Sequence, residues 1–399
     1  MIAFEKALEL VLNNSASFGE VTLPLDKAVG RILAEDVFAD RDFPPFNRAT
    51  KDGIAIHYES VSNAFSKFKI QDTAAAGSPQ LQLFNTSDCI EVMTGAMVPI
   101  NCDTVIMYEY LVIESGFATL LKPVKKGQNI HVKGSDEPKG VKVLERGIQI
   151  SASEIGVLAS VGKAVLKVKK NPRISIVSTG DELVNVHEFP KAHQIRKSNS
   201  HTLKAALIDK GIASEMVHIP DEKVKTKEVI SKLLLTSDVI LLSGGVSKGK
   251  YDYLPEVFEE LNITKVFHKV KQRPGKPFWF GSHEESKTTV FGFPGNPVST
   301  FANFNIYFLP WLDKSLMGVV KKEITVILEE EFENTTDLTR FIRAKLVLKN
   351  GKTRAQLIEG NGSGDLTSLT KSDGFLKVPP NKKCIKGAKV SFLPTRRIL

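Results

Sequence analysis

The stretch SDVILLSGGVSKGKYDYLPEVFEELN, residues 237–262, decides the fold because it contains a strand, a glycine turn and a helix in succession. SDVILLSGG is an apolar run ending in two glycines, typical of a strand buried on both faces. DYLPEVFEELN follows as a helix with Asp252 placed to cap it. RISIVSTGDEL (173–183) and TTVFGFPGNPVSTFANFNIYFL (288–309) repeat the strand and turn, and the second continues into a helix. We therefore predict βαβ units around a parallel sheet.

The turn in this stretch shares only its spacing with a nucleotide-binding P-loop. A glycine, four residues and Gly249-Lys250 fit G-x-x-x-x-G-K, but Tyr251 stands where Mg²⁺ needs a Ser or Thr hydroxyl. The hydroxyl groups of Ser243 and Ser247 precede the lysine instead. We therefore expect phosphate binding by backbone and serine, and we exclude a Walker-type Mg²⁺ loop.

Three glycine turns follow the three predicted strands: STGDEL (178–183), SGGVSKG (243–249) and GFPGNPVS (292–299). In an open parallel sheet, ligands bind at the carboxyl ends of the strands. Free backbone N–H groups and helix dipoles at such turns favour an oxyanion. A single turn would be ordinary loop chemistry, since glycine permits positive φ. Three turns at one sheet edge indicate an anion site.

A basic loop, KVKQRPGKPFWFG (269–281), adds cationic groups to this prediction. Prolines on both sides of Gly275-Lys276 stiffen the loop and favour an outward lysine that holds a phosphate or another tetrahedral oxyanion. A solvated basic loop is the alternative interpretation of the same residues.

The candidate acids differ in their surroundings. Glu182 comes just after a strand, Asp221 follows a proline, and capping alone would account for Asp252. A carboxylate beside a phosphate site holds Mg²⁺ instead. Asp52 lies in the extended, proline-rich arm ADRDFPPFNRATKDGIAI (39–56), where an acid can serve a site built by another domain or subunit.

Composition limits the class of protein. The chain has 399 residues, 42% hydrophobic and 25% charged, which fits a folded protein of two to four domains. The net charge of +9 indicates anionic ligands or a lysine-rich surface. We expect no membrane span, signal peptide or nucleic-acid motif. Three scattered cysteines favour a reducing cytoplasm without disulfides or structural zinc.

The pattern of helices and strands predicts four parts in this α/β multidomain chain. A discontinuous helical region covers 1–26 and 140–170, because SASEIGVLASVG (151–162) lacks a local partner and is expected to pack beside the N-terminal helix. The remaining parts are an inserted β-rich domain (27–139), an α/β domain (171–316) and a C-terminal β domain (317–399). In the last, Asn350-Gly351 predicts a type I′ hairpin within a small β-barrel or sandwich.

Several motifs together resemble one family. SGGVSKGKYDY is similar to S-G-G-x-S-x-G-x-x-D, and STGDEL, PGKPFWFG and FPGNPVSTF resemble companion motifs in the same order. RATKDGIAI resembles S-A-M-D-G-Y-A, and EVMTGAMVP and CDTVIMYE resemble T-G-A-x-x-P and D-x-V-x-x-x-E. GSGDLTSL matches S-G-x-L-x-S near the C-terminus. The chain therefore resembles the molybdopterin molybdenumtransferase (MoeA) family, related to the C-terminal part of gephyrin, from about residue 4 onward.

The resemblance implies an activity and its partners. Members of the family act as homodimeric transferases in molybdenum cofactor biosynthesis. They bind adenylylated molybdopterin and molybdate as substrates, insert molybdenum and release AMP with Mg²⁺. The resemblance thus implies a cytoplasmic, elongated homodimer in contact with other molybdenum-cofactor enzymes, and no nucleic-acid or membrane partner.

The resemblance also implies the site residues. The catalytic residues it implies are Asp52, Glu182, Asp252 and Lys276, and the metal ligands are Asp221 and Asp252. The substrate-binding residues it implies are Thr94 (with Asp52, from the partner subunit), Thr179, Gly180, Ser243, Gly244, Gly245, Ser247, Gly249, Gly275, Pro294, Gly295, Asn296, Pro297, Arg343 and Ser363.

The chain departs from the family pattern at a few positions: Lys51 for Met, Lys133 for Arg, Arg273 for Lys, and Arg196-Lys197 for an aromatic residue and Asp. Two other functions share some of these features. Adenylylation of molybdopterin uses the same domain type in a chain of one domain, which the extra length opposes. A scaffold that binds partner peptides has no need of the acids and Lys276.

Overall fold

A computed structural model describes residues 1–246, 253–320 and 323–396 of the chain. The helices in these ranges are α1 Phe4–Asn13, α2 Ala152–Ser160, α3 Asn199–Asp209, α4 Lys223–Thr236, α5 Leu254–Glu260, α6 Pro297–Asn303, α7 Leu309–Met317 and α8 Thr367–Thr370. A π-helical turn, Phe304–Phe308, joins α6 to α7. None of the helices in the described ranges is long and apolar enough to cross a membrane.

The strands are short and numerous. In chain order they are β1 Ile2–Ala3, β2 Glu20–Pro24, β3 Val37–Phe38, β4 Arg48–Ala49, β5 Gly53–Ile56, β6 Lys67–Ala74, β7 Cys89–Val92, β8 Thr104–Met107, β9 Leu111–Glu114, β10 Phe117–Leu120, β11 Ile130–His131, β12 Lys142–Leu144, β13 Val165–Lys169, β14 Ile174–Thr179, β15 Leu183–Val184, β16 Ile195–Arg196, β17 Ser214–Ile219, β18 Val239–Ser243, β19 Thr264–His268, β20 Val270–Arg273, β21 Trp279–His283, β22 Thr288–Phe293, β23 Ile324–Leu328, β24 Phe332–Asn334, β25 Thr339–Lys349, β26 Lys352–Leu357, β27 Gly374–Val378, β28 Lys382–Cys384 and β29 Lys389–Pro394.

The chain divides into two compact units. The first unit comprises Met1–Thr22, Gly30–Ala34 and Lys167–Leu399, and the second comprises Leu23–Val29 and Glu35–Leu166. The four domain boundaries expected from sequence stay predictions, since this division is coarser than they are.

A six-stranded sheet in the order β17–β14–β18–β22–β21–β19 forms the centre of the first unit. Its first four strands are parallel, which confirms the predicted βαβ sheet. The structure adds two antiparallel strands at the β22 edge, because β21 pairs antiparallel with both β22 and β19.

Helices cover both faces of this sheet, which is why its strands are apolar throughout. Every residue of β14, β18 and β22 is buried. On β14, Ile176 packs in the cluster that contains Leu203 of α3, while its neighbour Val177 packs with Ile230 of α4 on the opposite face. Alternation along a strand thus divides its apolar side chains between two cores.

An aromatic cluster links the sheet to α1 and α7. Trp311 is fully buried, and its ring lies 5.3 Å from the ring of Phe291 on β22. Its indole Nε1 donates a hydrogen bond to the Asn14 carbonyl at the end of α1 (2.8 Å). The buried residues of α1 are Phe4, Ala7 and Val11, which lie on one face of the helix because they are three and four positions apart.

A closed five-stranded barrel lies at the C-terminal end of the first unit. The strands run β25–β26–β23–β29–β27, and β27 pairs back with β25. A two-residue loop joins β25 to β26, with φ of 50° at Asn350 and 70° at Gly351, which confirms the predicted hairpin. Outside the barrel, β20 pairs with β25 and β1 pairs with β20, both in parallel.

The second unit is rich in β-structure, as predicted. A six-stranded sheet in the order β8–β5–β7–β6–β10–β9 forms its centre. Helix α2 begins with a capping box, in which Ser151 accepts from the helix backbone and Glu154 accepts from the Ser151 N–H (2.7 Å). Both the strands and this cap follow from the sequence pattern.

Replacing Trp311 with Ala should lower the free energy of unfolding of the first unit by about 3–5 kcal/mol, because it removes a large buried ring and leaves a cavity. Urea unfolding followed by circular dichroism measures the change. Leu348→Ala is the control, since Leu348 is 79% exposed and should cost less than about 0.5 kcal/mol. Equal losses in both variants would contradict this account of the core.

Candidate functional site

The three glycine turns singled out in the sequence line one cavity of about 690 Å³. They meet because β14, β18 and β22 are neighbours in the sheet and run in the same direction. The predicted site residues that line this cavity are Thr179, Gly180, Glu182, Asp221, Ser243, Gly244, Gly245, Pro294, Gly295, Asn296 and Pro297. The predicted convergence of the three strand ends is thus observed.

Glycine is needed at these turns for close packing as well as for backbone conformation. Gly180 has φ of 130°, and a Cβ there would lie 2.4 Å from a carboxylate oxygen of Glu182. Gly245 has φ of 69°, and its Cβ would lie 2.6 Å from Leu254. A larger residue at either position would distort the cavity wall, so the walls keep bare backbone facing a ligand.

Asn199 joins two of the turns and was missed in the sequence. Its side-chain Nδ2 donates to the Ser243 hydroxyl and to the Gly295 carbonyl, both at 2.7 Å. Asn199 lies at the start of α3, and the only available signal was a polar SNS stretch before an apolar helix. It holds the β18 and β22 turns at a fixed separation.

Both charge signs line this larger cavity. Glu182 and Asp221 are its acids, and Arg196 and Lys197 are its cations. Arg196 donates to the Glu188 carbonyl (3.0 Å) and Lys197 to the Asn185 side chain (3.1 Å), which ties both to the 185–194 loop. The departures from the family pattern at 196 and 197 therefore place two positive charges in this cavity.

Adjoining it is a smaller cavity of about 420 Å³, and the two share Pro277, Pro294 and Asn296. Four cationic side chains line the smaller cavity: Arg273, Lys276, Arg340 and Arg343. Among the described residues of its wall there is no Asp or Glu. A cavity with this lining stabilises a multiply charged anion.

The barrel contributes Arg343 and Ser363 to the smaller cavity, as expected from sequence. Asn296 donates to the Ser363 hydroxyl (3.0 Å), and the N–H of Val298 donates to the Ser363 carbonyl (3.0 Å). Arg343 donates to the Ser368 hydroxyl. These bonds hold a barrel loop against the beginning of α6.

Two arginines of this cavity have pKa values that their surroundings lower. Burial lowers the pKa of Arg343 from its ordinary value. Burial, and then the charge of Arg273, lower the pKa of Arg340. Arg273 and Arg340 are register partners on β20 and β25, so their charges lie on adjacent strands. Arg340 was not predicted from the sequence, because its proximity to Arg273 arises from strand pairing. A bound anion would relieve the repulsion.

Asp52 and Thr94 lie together in the second unit. The Thr94 N–H and hydroxyl both donate to Asp52 Oδ1, at 2.6 and 2.8 Å. These two bonds, the backbone one first, lower the pKa of Asp52. The carboxylate is therefore charged at neutral pH and held in one orientation.

Three predicted site residues, Ser247, Gly249 and Asp252, lie outside the described residues. Within the ranges that are described, no group of three or more His, Cys, Asp and Glu residues is placed to hold a metal ion. Glu182 and Asp221, however, line the same cavity. Mg²⁺ is commonly held by one or two carboxylates together with substrate phosphates, so this pair fits Mg²⁺ that arrives with a phosphate ligand.

Three regions of the chain match protein-family models. They are "MoeA N-terminal region (domain I and II)" over residues 2–162, "Probable molybdopterin binding domain" over 175–314 and "MoeA C-terminal region (domain IV)" over 325–395. Together the matches cover most of the chain in the order of its parts.

Relatives match over nearly their whole lengths. A molybdopterin molybdenumtransferase of Synechocystis is 38% identical over 386 residues, 96% of each chain. One of Staphylococcus epidermidis is 30% identical over 405 residues, 98% of this chain and 94% of its own. The crystal structure of a molybdopterin biosynthesis MoeA protein from Pyrococcus horikoshii has a TM-score of 0.84 at 29% identity and covers 100% of both chains. With its three regions matched in order and its relatives matched end to end, the chain belongs to the MoeA family.

Proposed function

We propose that this protein is a molybdopterin molybdenumtransferase that inserts molybdate into adenylylated molybdopterin and releases AMP. The observation that carries the proposal is the pair of adjoining cavities, one lined by glycine turns and the other by four cations. The names of the Synechocystis and Staphylococcus relatives support the same activity.

The smaller cavity is the proposed molybdate site. Molybdate is a tetrahedral dianion, and the cavity supplies Lys276 as a point charge and Arg343 as a planar donor, with Ser363 as a neutral hydroxyl. Hydrogen bonds in which one partner is charged are stronger than neutral ones, so these groups favour a compact oxyanion. The absence of acids from the described wall removes repulsion that would oppose it.

The larger cavity is the proposed site for the nucleotide-bearing pterin. Its Ser243 hydroxyl and the bare backbone of the Gly244-Gly245 turn suit a phosphate. Glu182 and Asp221 would hold Mg²⁺, which neutralises phosphate oxygens when bound. The two cavities adjoin at Pro277, Pro294 and Asn296, which would bring molybdate next to the substrate it joins.

The chemistry needs charge stabilisation more than a nucleophilic side chain. When the phosphoanhydride breaks, negative charge accumulates on the departing AMP phosphate. Preorganised donors that do not have to reorient stabilise such charge most effectively. Lys276 lines the smaller cavity and Lys197 the larger one, and both would stabilise this negative charge.

Asp52 and Thr94 enter the proposal through the second unit. We assign them to the active site of the partner subunit in a cytoplasmic homodimer, which would complete each site with a charged, oriented carboxylate. Transfer of the product to molybdenum enzymes would then follow by direct contact.

Purified protein incubated with adenylylated molybdopterin should release AMP only when molybdate and Mg²⁺ are both present. Chromatographic quantification of AMP measures this. Removing Mg²⁺ with a chelator should stop the release, and added Mg²⁺ should restore it. Tight binding of the pterin without release would support a carrier or scaffold in place of the transferase.

Replacing Lys276 or Arg343 with Ala should weaken molybdate binding at least tenfold, because each change removes about 1.5–3 kcal/mol of charge-assisted interaction. Isothermal titration with molybdate measures the affinity. Lys271→Ala is the matched control: Lys271 lies on β20, the strand that leads into the loop of Lys276, pairs with Asp337 (3.1 Å), and is not among the residues that line the cavity. An equal loss in the control would mean that general positive charge, and not this cavity, binds molybdate.

Asp52→Ala should reduce AMP release at least a hundredfold while the free energy of unfolding changes by less than about 1 kcal/mol, since Asp52 is exposed. The control is Asp40→Ala on the same proline-rich arm (39–56), where Asp40 forms an exposed ion pair with its neighbour Arg41. Unchanged turnover in Asp52→Ala would remove the second unit from the proposed chemistry.

A further inference from the structure

Three polar side chains lie fully buried directly beneath the loop that carries Lys276. Gln272 and Asn303 are 0% exposed, and so is Tyr307. They come from β20, from the end of α6 and from the π-helical turn that follows it. Burying a polar group is costly unless it finds a hydrogen-bond partner, so the partners of these three side chains indicate what they stabilise.

The three side chains bond to one another. The Tyr307 hydroxyl donates to Gln272 Oε1. Gln272 Nε2 donates to Asn303 Oδ1 at 2.7 Å. The orientation of the side-chain amides of Gln272 and Asn303 is therefore determined, because each amide oxygen accepts a hydrogen bond and each amide nitrogen donates one.

The same amides also bond to the loop itself. Gln272 Nε2 donates to the Pro274 carbonyl (2.9 Å), and Asn303 Nδ2 donates to the Gly275 carbonyl (3.1 Å). Gly275 has φ of 87°, and a Cβ there would lie 2.2 Å from Asn303 Oδ1. The loop backbone is thus pressed directly onto the buried amides, which leaves room only for glycine.

Lys276 is the next residue in the chain after Pro274 and Gly275, whose carbonyls accept these bonds. Its own carbonyl accepts from the N–H groups of Val270 and Phe278, both at 2.9 Å, which closes the loop. Its side chain is exposed and lines the cationic cavity. Any movement of the buried amides would therefore move the backbone from which the Lys276 ammonium extends.

We propose that Gln272, Asn303 and Tyr307 form a buried relay of hydrogen bonds that positions Lys276 for the oxyanion substrate. This inference rests on the proposed function only for the identity of the oxyanion, molybdate. The three are positioning residues, because none of their side chains needs to touch the substrate. A fully satisfied polar network of this kind specifies one loop geometry more sharply than apolar packing does.

The relay also lies close to two of the cationic side chains of the smaller cavity, Lys276 and Arg343. Gln272 is the register partner of Thr339 on β25, the strand that carries Arg343 four residues later. The relay therefore lies between the loop of Lys276 and the barrel strand of Arg343. Loosening it should change the distance between the two cations.

The test uses the full chain with two relay variants, Tyr307→Phe and Asn303→Ala. The matched control is Asn305→Ala, because Asn305 is also buried on the π-helical turn but its side chain donates to the Phe301 carbonyl of α6 (2.8 Å) and not to the loop of Lys276. Three quantities are measured: the molybdate dissociation constant, the adenylylated molybdopterin dissociation constant, and amide hydrogen exchange in peptides that span Val270 and Phe278.

Both relay variants should raise the molybdate dissociation constant roughly tenfold. A factor of ten corresponds to the loss of one hydrogen bond between the misplaced Lys276 ammonium and molybdate. Their affinity for adenylylated molybdopterin should stay within about twofold of wild type, and the amides of Val270 and Phe278 should exchange faster. Asn305→Ala should lose stability alone, with unchanged molybdate affinity and loop exchange. If Asn303→Ala does not fold, Tyr307→Phe decides, since it removes a single oxygen atom.

Unchanged molybdate affinity and unchanged loop exchange in Tyr307→Phe would overturn the relay. Faster exchange with unchanged molybdate affinity would also overturn it, since the network would then support the loop without serving the ligand. If wild-type protein does not bind molybdate, the proposed function fails. Inorganic phosphate then replaces molybdate as the tetrahedral oxyanion: a roughly tenfold weaker phosphate affinity in Tyr307→Phe supports the relay, and an unchanged phosphate affinity contradicts it.

Discussion

The parallel pairing of β14, β18 and β22 is the constraint on which the rest of the site depends. Because the strands run in one direction and are buried on both faces, their hydrogen-bonded register brings three separate loops to one edge. The strands that lead into those loops end at Thr179, Ser243 and Phe293, which are 64 and 50 residues apart in the chain. No local interaction could assemble them.

The two cavities at this edge of the sheet have different charge balances, and each balance suits a different kind of ligand. Among the described residues, the larger one combines two acids with two cations and many backbone groups, which suits a ligand with both phosphate and metal-binding needs. The smaller one is cationic: burial lowers the pKa of Arg343, and burial followed by the charge of Arg273 lowers the pKa of Arg340. Loss of positive charge in such a cavity is opposed by any anion that binds there, so ligand and protonation state support each other.

Neutral hydrogen-bonding groups, and not only charged side chains, define the geometry of the smaller, cationic cavity. Lysine is a flexible side chain, and its position is only as well defined as the backbone that carries it. Beneath Lys276, the buried amides of Gln272 and Asn303 donate to the loop carbonyls. On the barrel side of the cavity, a hydrogen bond from Asn296 holds Ser363. Charge supplies the attraction, and buried hydrogen bonds supply the geometry.

Much of this protein follows from its sequence, because the relevant signals are local. Apolar runs that end in glycine predicted β14, β18 and β22, and Asn350-Gly351 predicted a hairpin that the structure contains. Family motifs predicted eleven of the residues that line the larger cavity and six of those that line the smaller one, with Pro294 and Asn296 common to both. Asn199, Arg340 and the buried amides could not be found this way. Asn199 bonds across two loops, and Arg340 faces Arg273 only through a parallel strand pair. The sequence by itself determined the elements and the chemical character of the site, since periodicity and turn residues act over a few positions. Only the tertiary structure decided which charges share a cavity and which core groups hold them, because those contacts join residues far apart in the chain.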